Sequence, residues 1–222
     1  GQLCYGGLDL ASVNDWSALC LAFPREGGGY DTKRFYWLPE AAVEQRLYKD
    51  ENTIYLQLKD ATEVTVTPGN VCDYDYIRKA ISGYYVENGQ VKYDEDCIMS
   101  RYNIKSIAYD RYNSTQLVIN LQNDGVEMSP MGMGFVSMSA PMKELYRLVL
   151  EGKINHEGDP VLRWMVGNVS VAYDPALNMK PDKARSGDKI DGVVALVCAI
   201  GEAMTYEHDD NTLPDDFNIR FI

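Results

Sequence analysis

Apolar residues come in short strand-like runs at the start of this chain and recur at helical spacing further on. Residues 3–10 (Leu-Cys-Tyr-Gly-Gly-Leu-Asp-Leu) predict a first strand. Ser12-Val13-Asn14-Asp15 supplies turn chemistry, since Asn and Asp tolerate a tight backbone. Ser17 to Phe23 predicts a second strand, broken by Pro24 and the glycines at 27–29, and Arg34 to Leu38 predicts a third. Strand and turn in this alternation predict an antiparallel meander.

Beyond Pro39 the period changes. Helices are expected over 40–48, 51–59, 73–86, 114–123, 141–151, 159–166 and 189–204. In the third of these, Tyr76, Ile77, Ala80, Ile81 and Tyr84 share one face, and Pro141 is expected to open the fifth. Brief strands are expected at 63–67, 106–110, 126–128 and 169–173, with polar irregular segments at 89–96 and 174–188. No repeat or low-complexity linker interrupts the chain, so 1–222 reads as a single domain. A meander, then helices alternating with short buried strands, then a closing apolar helix is the order of a ribonuclease H-like fold. The expected class is α/β, a mixed sheet with helices on its faces.

Three aspartates stand out against that apolar pattern. Asp9 lies inside Gly7-Leu8-Asp9-Leu10-Ala11, Asp110 ends Ile107-Ala108-Tyr109-Asp110, and Asp191 opens the last helix within Ile190-Asp191-Gly192-Val193. An isolated carboxylate is costly to bury unless something pairs with it, and a metal ion is the usual partner where no base is nearby. Each also has a plainer reading. Asp9 could be a turn-facing acid, Asp110 could pair with Arg111 or cap a helix, and Asp188 or Asp191 could be a first-turn acid favoured by the helix dipole.

Composition narrows the options. With 45% apolar and 24% charged residues, 222 residues suffice for a substantial core. No run reaches the roughly 18 apolar residues that span a bilayer, and no secretory leader is visible. The first residue is Gly, which suggests a piece of a longer protein. Five cysteines scattered with no paired spacing and no Cys-x-x-Cys, and only two histidines, argue against a disulfide framework and against zinc. A reducing compartment, the cytoplasm, is expected. The formal charge of −12 is unusual for a nucleic-acid binder, unless metal ions or another domain offset it. Part of the excess lies in Asp94-Glu95-Asp96, Glu207 to Asp210 and Asp215-Asp216, expected to be solvated. The chain lacks a Gly-x-x-x-x-Gly-Lys-Ser/Thr phosphate loop, a Gly-x-Ser-x-Gly elbow and a Gly-x-Gly-x-x-Gly turn.

Secondary candidates are weaker. Asp15 reads as turn chemistry, His156 as a loop histidine and Asn168 as a backbone-satisfying side chain. Lys180, Lys183, Arg185 and Lys189 form a basic cluster, either solvated or set to contact a phosphate backbone.

Several stretches together resemble the C-terminal nuclease domain of the large terminase subunit of tailed bacteriophages. They are Gly-Leu-Asp-Leu-Ala-Ser with Asn14-Asp15, Ile107 to Asn113, Gly152 to His156, Pro160 to Trp164 with Asn168, Lys180 to Ser186, and Lys189 to Leu196. The resemblance implies a metal-dependent endonuclease that cuts concatemeric double-stranded DNA during genome packaging in the host cytoplasm. It implies an ATPase domain on the same polypeptide, with the small terminase subunit and the portal as further partners and no membrane. Asp9, Asp110 and Asp191 would be catalytic and would bind two Mg²⁺ or Mn²⁺ ions, bridged by Asp9, with His156, Asn168 and Lys189 in support. Oxygen ligands favour these hard cations. Metal binding is expected to be weak without DNA. A non-catalytic docking module of a packaging motor, or a fragment of an actin-like ATPase, are the alternatives.

Overall fold

The computed structural model describes residues 1–11, 15–49, 54–112 and 115–210, with side chains for all of these except 115 and 207–210. In chain order the strands are β1 (Leu3–Asp9), β2 (Ser17–Pro24), β3 (Tyr30–Pro39), β4 (Val64–Thr67), β5 (Tyr84–Glu87), β6 (Gln90–Tyr93), β7 (Asn103–Asp110), β8 (Met128–Met131), β9 (Ile154–Asn155), β10 (Val171–Tyr173) and β11 (Met179–Pro181). The helices are α1 (Glu40–Lys49), α2 (Tyr55–Leu58), α3 (Tyr74–Ser82), α4 (Ile98–Arg101), α5 (Thr115–Asn123), α6 (Phe135–Leu150), α7 (Pro160–Asn168) and α8 (Asp191–Asp210). The main sheet runs β4-β3-β2-β1-β7-β8, with β9 added beside β3.

The expected meander is present: β1 pairs antiparallel with β2, and β2 with β3. Parallel strands flank it, with β7 against β1, β8 against β7, and β4 against β3. This is the mixed sheet that the ribonuclease H-like order calls for. One face carries a core of α8, α6 and α7 residues over Tyr5, Ala18, Cys20, Tyr36 and Ala108. The other packs α3 and α5 over Leu8, Leu19, Leu21, Trp37 and Ile107. Strand side chains alternate between the two faces. Asp9 therefore shares the α8 face with Tyr5 and Gly7, as Asp110 does with Ala108.

Helix α8 lies directly on β1. A Cβ at Gly7 would come within 2.1 Å of the Ala195 carbonyl oxygen and 2.4 Å of the Ala199 nitrogen, so only glycine permits this approach. At the start of α8, a Cβ on Gly192 would meet Tyr36 at 2.9 Å and the Met165 sulfur at 3.0 Å. These two glycines set the depth at which the first turn of α8 sits against the sheet.

Several local expectations are corrected. The helix expected over 73–86 ends at Ser82, because Gly83 takes a left-handed φ of 83° and its N–H closes on Lys79. The residues after it form the β5–β6 hairpin around Asn88-Gly89, at φ 53° and 76°, the positive angles that a tight hairpin turn needs. Pro141 does not open its helix: α6 starts six residues earlier and carries the proline inside it, packed on Gly201 of α8. An interior proline forfeits one backbone hydrogen bond, and the buried Met138, Met142, Leu145 and Leu148 hold the helix in place. The segment 174–188 is not all loop, since β11 pairs with β10 there. The turn residues 12–14, the start of the second expected helix (51–53) and the acidic 215–216 lie outside the described residues.

Candidate active site

The register of two parallel strands brings the first two acids together. Gly7 faces Ala108 and Leu8 faces Tyr109, so the next residues along the pair are Asp9 and Asp110, both on the α8 face. Asp191 is the first residue of α8, which rests on β1 through Gly7. The acids come from a central strand, its parallel neighbour and the start of the last helix.

A fourth residue joins them. The Lys183 Nζ donates to Asp9 Oδ2 at 2.6 Å and to Asp191 Oδ1 at 2.9 Å. The carboxylates are buried (8% and 7% exposed), while the lysine side chain is half open to solvent at 51%. Asp191 Oδ2 is buried with no hydrogen-bond partner among the described residues. Asp110 accepts the Tyr112 backbone N–H at 3.1 Å. Among the described residues no three His, Cys, Asp or Glu side chains form a ready cage for a metal ion. The ammonium stands where two of the acids converge.

Charge follows from burial. Asp9 is pushed up to about 7, first by desolvation, against the pull of Lys183, and further by Asp191 and Asp110. Asp191 is raised by burial too, against the pull of Lys183. Burial works to lower the Lys183 ammonium, but the charges of Asp9 and Asp191 overrule it and hold it protonated. Lys183 brings one positive charge to the two carboxylates it meets, Asp9 and Asp191. A buried unpaired oxygen, hard oxygen donors and residual negative charge together fit a divalent cation of the Mg²⁺ type.

Two cavities meet at this lysine. One of about 330 Å³ is lined by Asp9, Asp110, Lys183, Met138 and Val194. Another of about 120 Å³ is lined by Asp15, Asp188, Asp191 and Lys183. A larger cavity, about 440 Å³, borders Met131, Pro141 and Glu202 but holds none of the three acids. The chemistry favours the smaller pair.

The supporting candidates separate. Asn168, at the end of α7, donates to the Lys189 carbonyl at 3.1 Å and accepts the Gly187 N–H at 2.9 Å, so it braces the turn into α8. Lys189 pairs with Asp15 at 2.5 Å, not with the acid cluster. Asp15, read as turn chemistry, thus stands at the rim of the site, where its charge also raises Asp191. His156 is not brought to the acids: its carbonyl accepts from Arg34 Nη2 at 2.7 Å, and its buried Nδ1 has no partner among the described residues. Lys180 donates to the Met133 carbonyl at 3.3 Å, and Arg185, well exposed, lies 3.6 Å from Asp182.

Sequence reasoning missed the buried pair Arg34–Asp159, joined at 2.7 Å with side chains 2% and 0% exposed. Asp159 Oδ1 caps α7 through the Val161 and Leu162 N–H groups, and its Oδ2 accepts from Tyr36, whose ring meets Gly192. The pair therefore seats the helices beneath Asp191. The Asp159-Pro160 start of α7 was its one visible signal.

A family model for the terminase large subunit, endonuclease domain, matches residues 1–207. The terminase large subunit of Enterobacteria phage HK97 is 28% identical over 218 residues, covering 97% of this chain and 40% of that protein. Protein YmfN of Escherichia coli (strain K12) is 30% identical over 224 residues, covering 97% of this chain and 46% of its own length. The crystal structure of the HK97 bacteriophage large terminase superposes with a TM-score of 0.76 over 90% of this chain and 39% of that one. The chain thus spans less than half the length of the curated relatives it matches.

Proposed function

Because the chain belongs to the family of terminase large subunit endonuclease domains, we propose that it is a divalent-cation-dependent endonuclease cutting double-stranded viral DNA during genome packaging. The observation that carries this reading is the meeting of Asp9 and Asp191 on one ammonium, beside Asp110 on the adjoining strand. Lys180 and Lys183, which line the cavity, and the exposed Arg185 would meet phosphates. The resemblance supports an ATPase domain of the same polypeptide, the small terminase subunit and the portal as partners.

Asp9, Asp110 and Asp191 would hold two Mg²⁺ or Mn²⁺ ions. When bound, such ions supply an activated water and charge stabilisation for the leaving oxygen. The residues of the chain do the rest. Burial of Asp9 and Asp191 strengthens their grip on a cation by excluding competing water. Asn168 and Lys189 fix the turn that presents Asp191, and Met138 with Val194 gives the cavity an apolar wall.

Plasmid DNA incubated with the protein and Mn²⁺ tests this. The parent should cut and Asp9→Asn should lose on the order of a thousandfold in rate, as expected when charge stabilisation of the transition state is removed. Equal cutting by both would sink the assignment. No cutting by either would favour the docking-module alternative.

A further inference from the structure

Lys183 has a position that contact with DNA alone does not explain. Its ammonium occupies the point where the Asp9 and Asp191 carboxylates converge. It also lines both cavities, so it partitions the space beside Asp9 and Asp110 from that beside Asp15 and Asp191. The acids lie in the interior while the lysine stem reaches them from the solvent side. It can leave by the way it entered. The orphaned Asp191 Oδ2 marks coordination capacity that a single ammonium leaves unused.

The backbone under Lys183 is tied down. Asp182 N–H bonds to Ser170, the Ser170 hydroxyl to the Arg185 carbonyl at 2.9 Å, and the Ser186 hydroxyl to the Asp182 carbonyl at 2.7 Å. Asp188 is gripped by Arg46 through two hydrogen bonds, and Lys189 by Asp15. Release of the ammonium then requires rotation of a flexible four-carbon stem, not opening of the loop.

We propose that Lys183 is a displaceable internal cation: it fills the divalent site when metal is absent, competes with metal for Asp9 and Asp191, and so sets the ion concentration at which the site loads. The inference rests on the reading of these acids as metal ligands. A divalent ion neutralises the cluster better than an ammonium does but must first expel it. A phosphate at the cavity mouth would offer the freed ammonium a new partner. Metal and DNA would then favour each other's binding, because each relieves a cost imposed on the other.

Calorimetric titration of Mn²⁺ into the parent, Lys183→Met, Lys183→Gln and Lys180→Met tests the competition. Removing the competitor should tighten binding on the order of tenfold in both Lys183 variants. Lys180→Met removes the same charge nearby without touching the acids and should stay within about twofold. Unchanged or weaker binding in the folded Lys183 variants overturns the inference and leaves the metal reading intact. If Asp9→Asn binds Mn²⁺ as the parent does, the metal reading falls with it. The parent protein gives an independent measure. Reductive methylation followed by mass spectrometry should modify Lys183 faster in Mg²⁺ than in EDTA, with Lys180 unchanged, and equal Lys183 rates in the two buffers would overturn the proposal.

Discussion

Two ionic clusters with buried carboxylates sit on the α8 face of the sheet, and they are built in opposite ways. In the first, Asp159 accepts from Arg34, Tyr36 and two backbone N–H groups, while Arg34 also donates to Thr32 and to the His156 carbonyl. Both side chains are enclosed and fully engaged. In the second, Lys183 bridges Asp9 and Asp191, yet one carboxylate oxygen has no partner among the described residues and the cation is half in water. Saturated partners make a fixed brace, since removing either leaves a buried charge uncompensated. An unsaturated cluster served from the solvent side is suited to exchange its cation.

That contrast can be broken from either end. The largest effect is expected at the brace. Arg34→Met strands the Asp159 carboxylate and should cost about 3–5 kcal/mol of stability, read by urea unfolding. A loss under about 1 kcal/mol would mean the pair does not brace the fold. At the exchangeable cluster, saturating Mg²⁺ should stabilise the parent by about 2.7 kcal/mol at a hundredfold excess over Kd. Asp9→Asn should fold but gain nothing from Mg²⁺. Equal thermal shifts in the two proteins would place the ion elsewhere.

Smaller changes sharpen the geometry. Gly7→Ala forces α8 off β1 and should cost about 1–3 kcal/mol, as overpacking does, with Mn²⁺ affinity falling as Asp191 is carried away from Asp9. Affinity unchanged in a destabilised variant would show that the two acids do not depend on this contact. Asn168→Ala removes a single hydrogen bond to the turn before α8. It should lower stability by about 1 kcal/mol and weaken Mn²⁺ binding modestly, both measurable beside the parent. A full-strength site without Asn168 would reduce that residue to a helix end.

The candidate acids were visible because each interrupts an apolar run, and a charge among buried neighbours is a local signal. Asp9 in Gly-Leu-Asp-Leu and Asp191 before Gly-Val-Val needed no tertiary information to draw notice. The β5–β6 hairpin was legible in principle through Asn88-Gly89, but the helical spacing of Ile77 and Ile81 was carried too far past Gly83. The early start of α6 had no such cue, because its inward residues precede a proline whose tolerance depends on α8 behind it. The strongest departures lie in the cation partners. Lys183 stands 174 residues from Asp9, Lys189 stands 174 from Asp15, and Arg34 stands 125 from Asp159.

Local pattern was enough to establish the meander and the α/β class and to single out three acids as candidates, since period and burial are written in neighbouring residues. Folding chose which lysine meets those acids, gave the turn residue Asp15 the added partner Lys189, and left His156 apart from them. The reason is physical: pairing of charges is set by distance in space, and a chain can bring any of several cations to a given carboxylate. The segment between β11 and α8 carries Lys183 to Asp9 and Asp191, and Gly7 lets α8 lie close on β1.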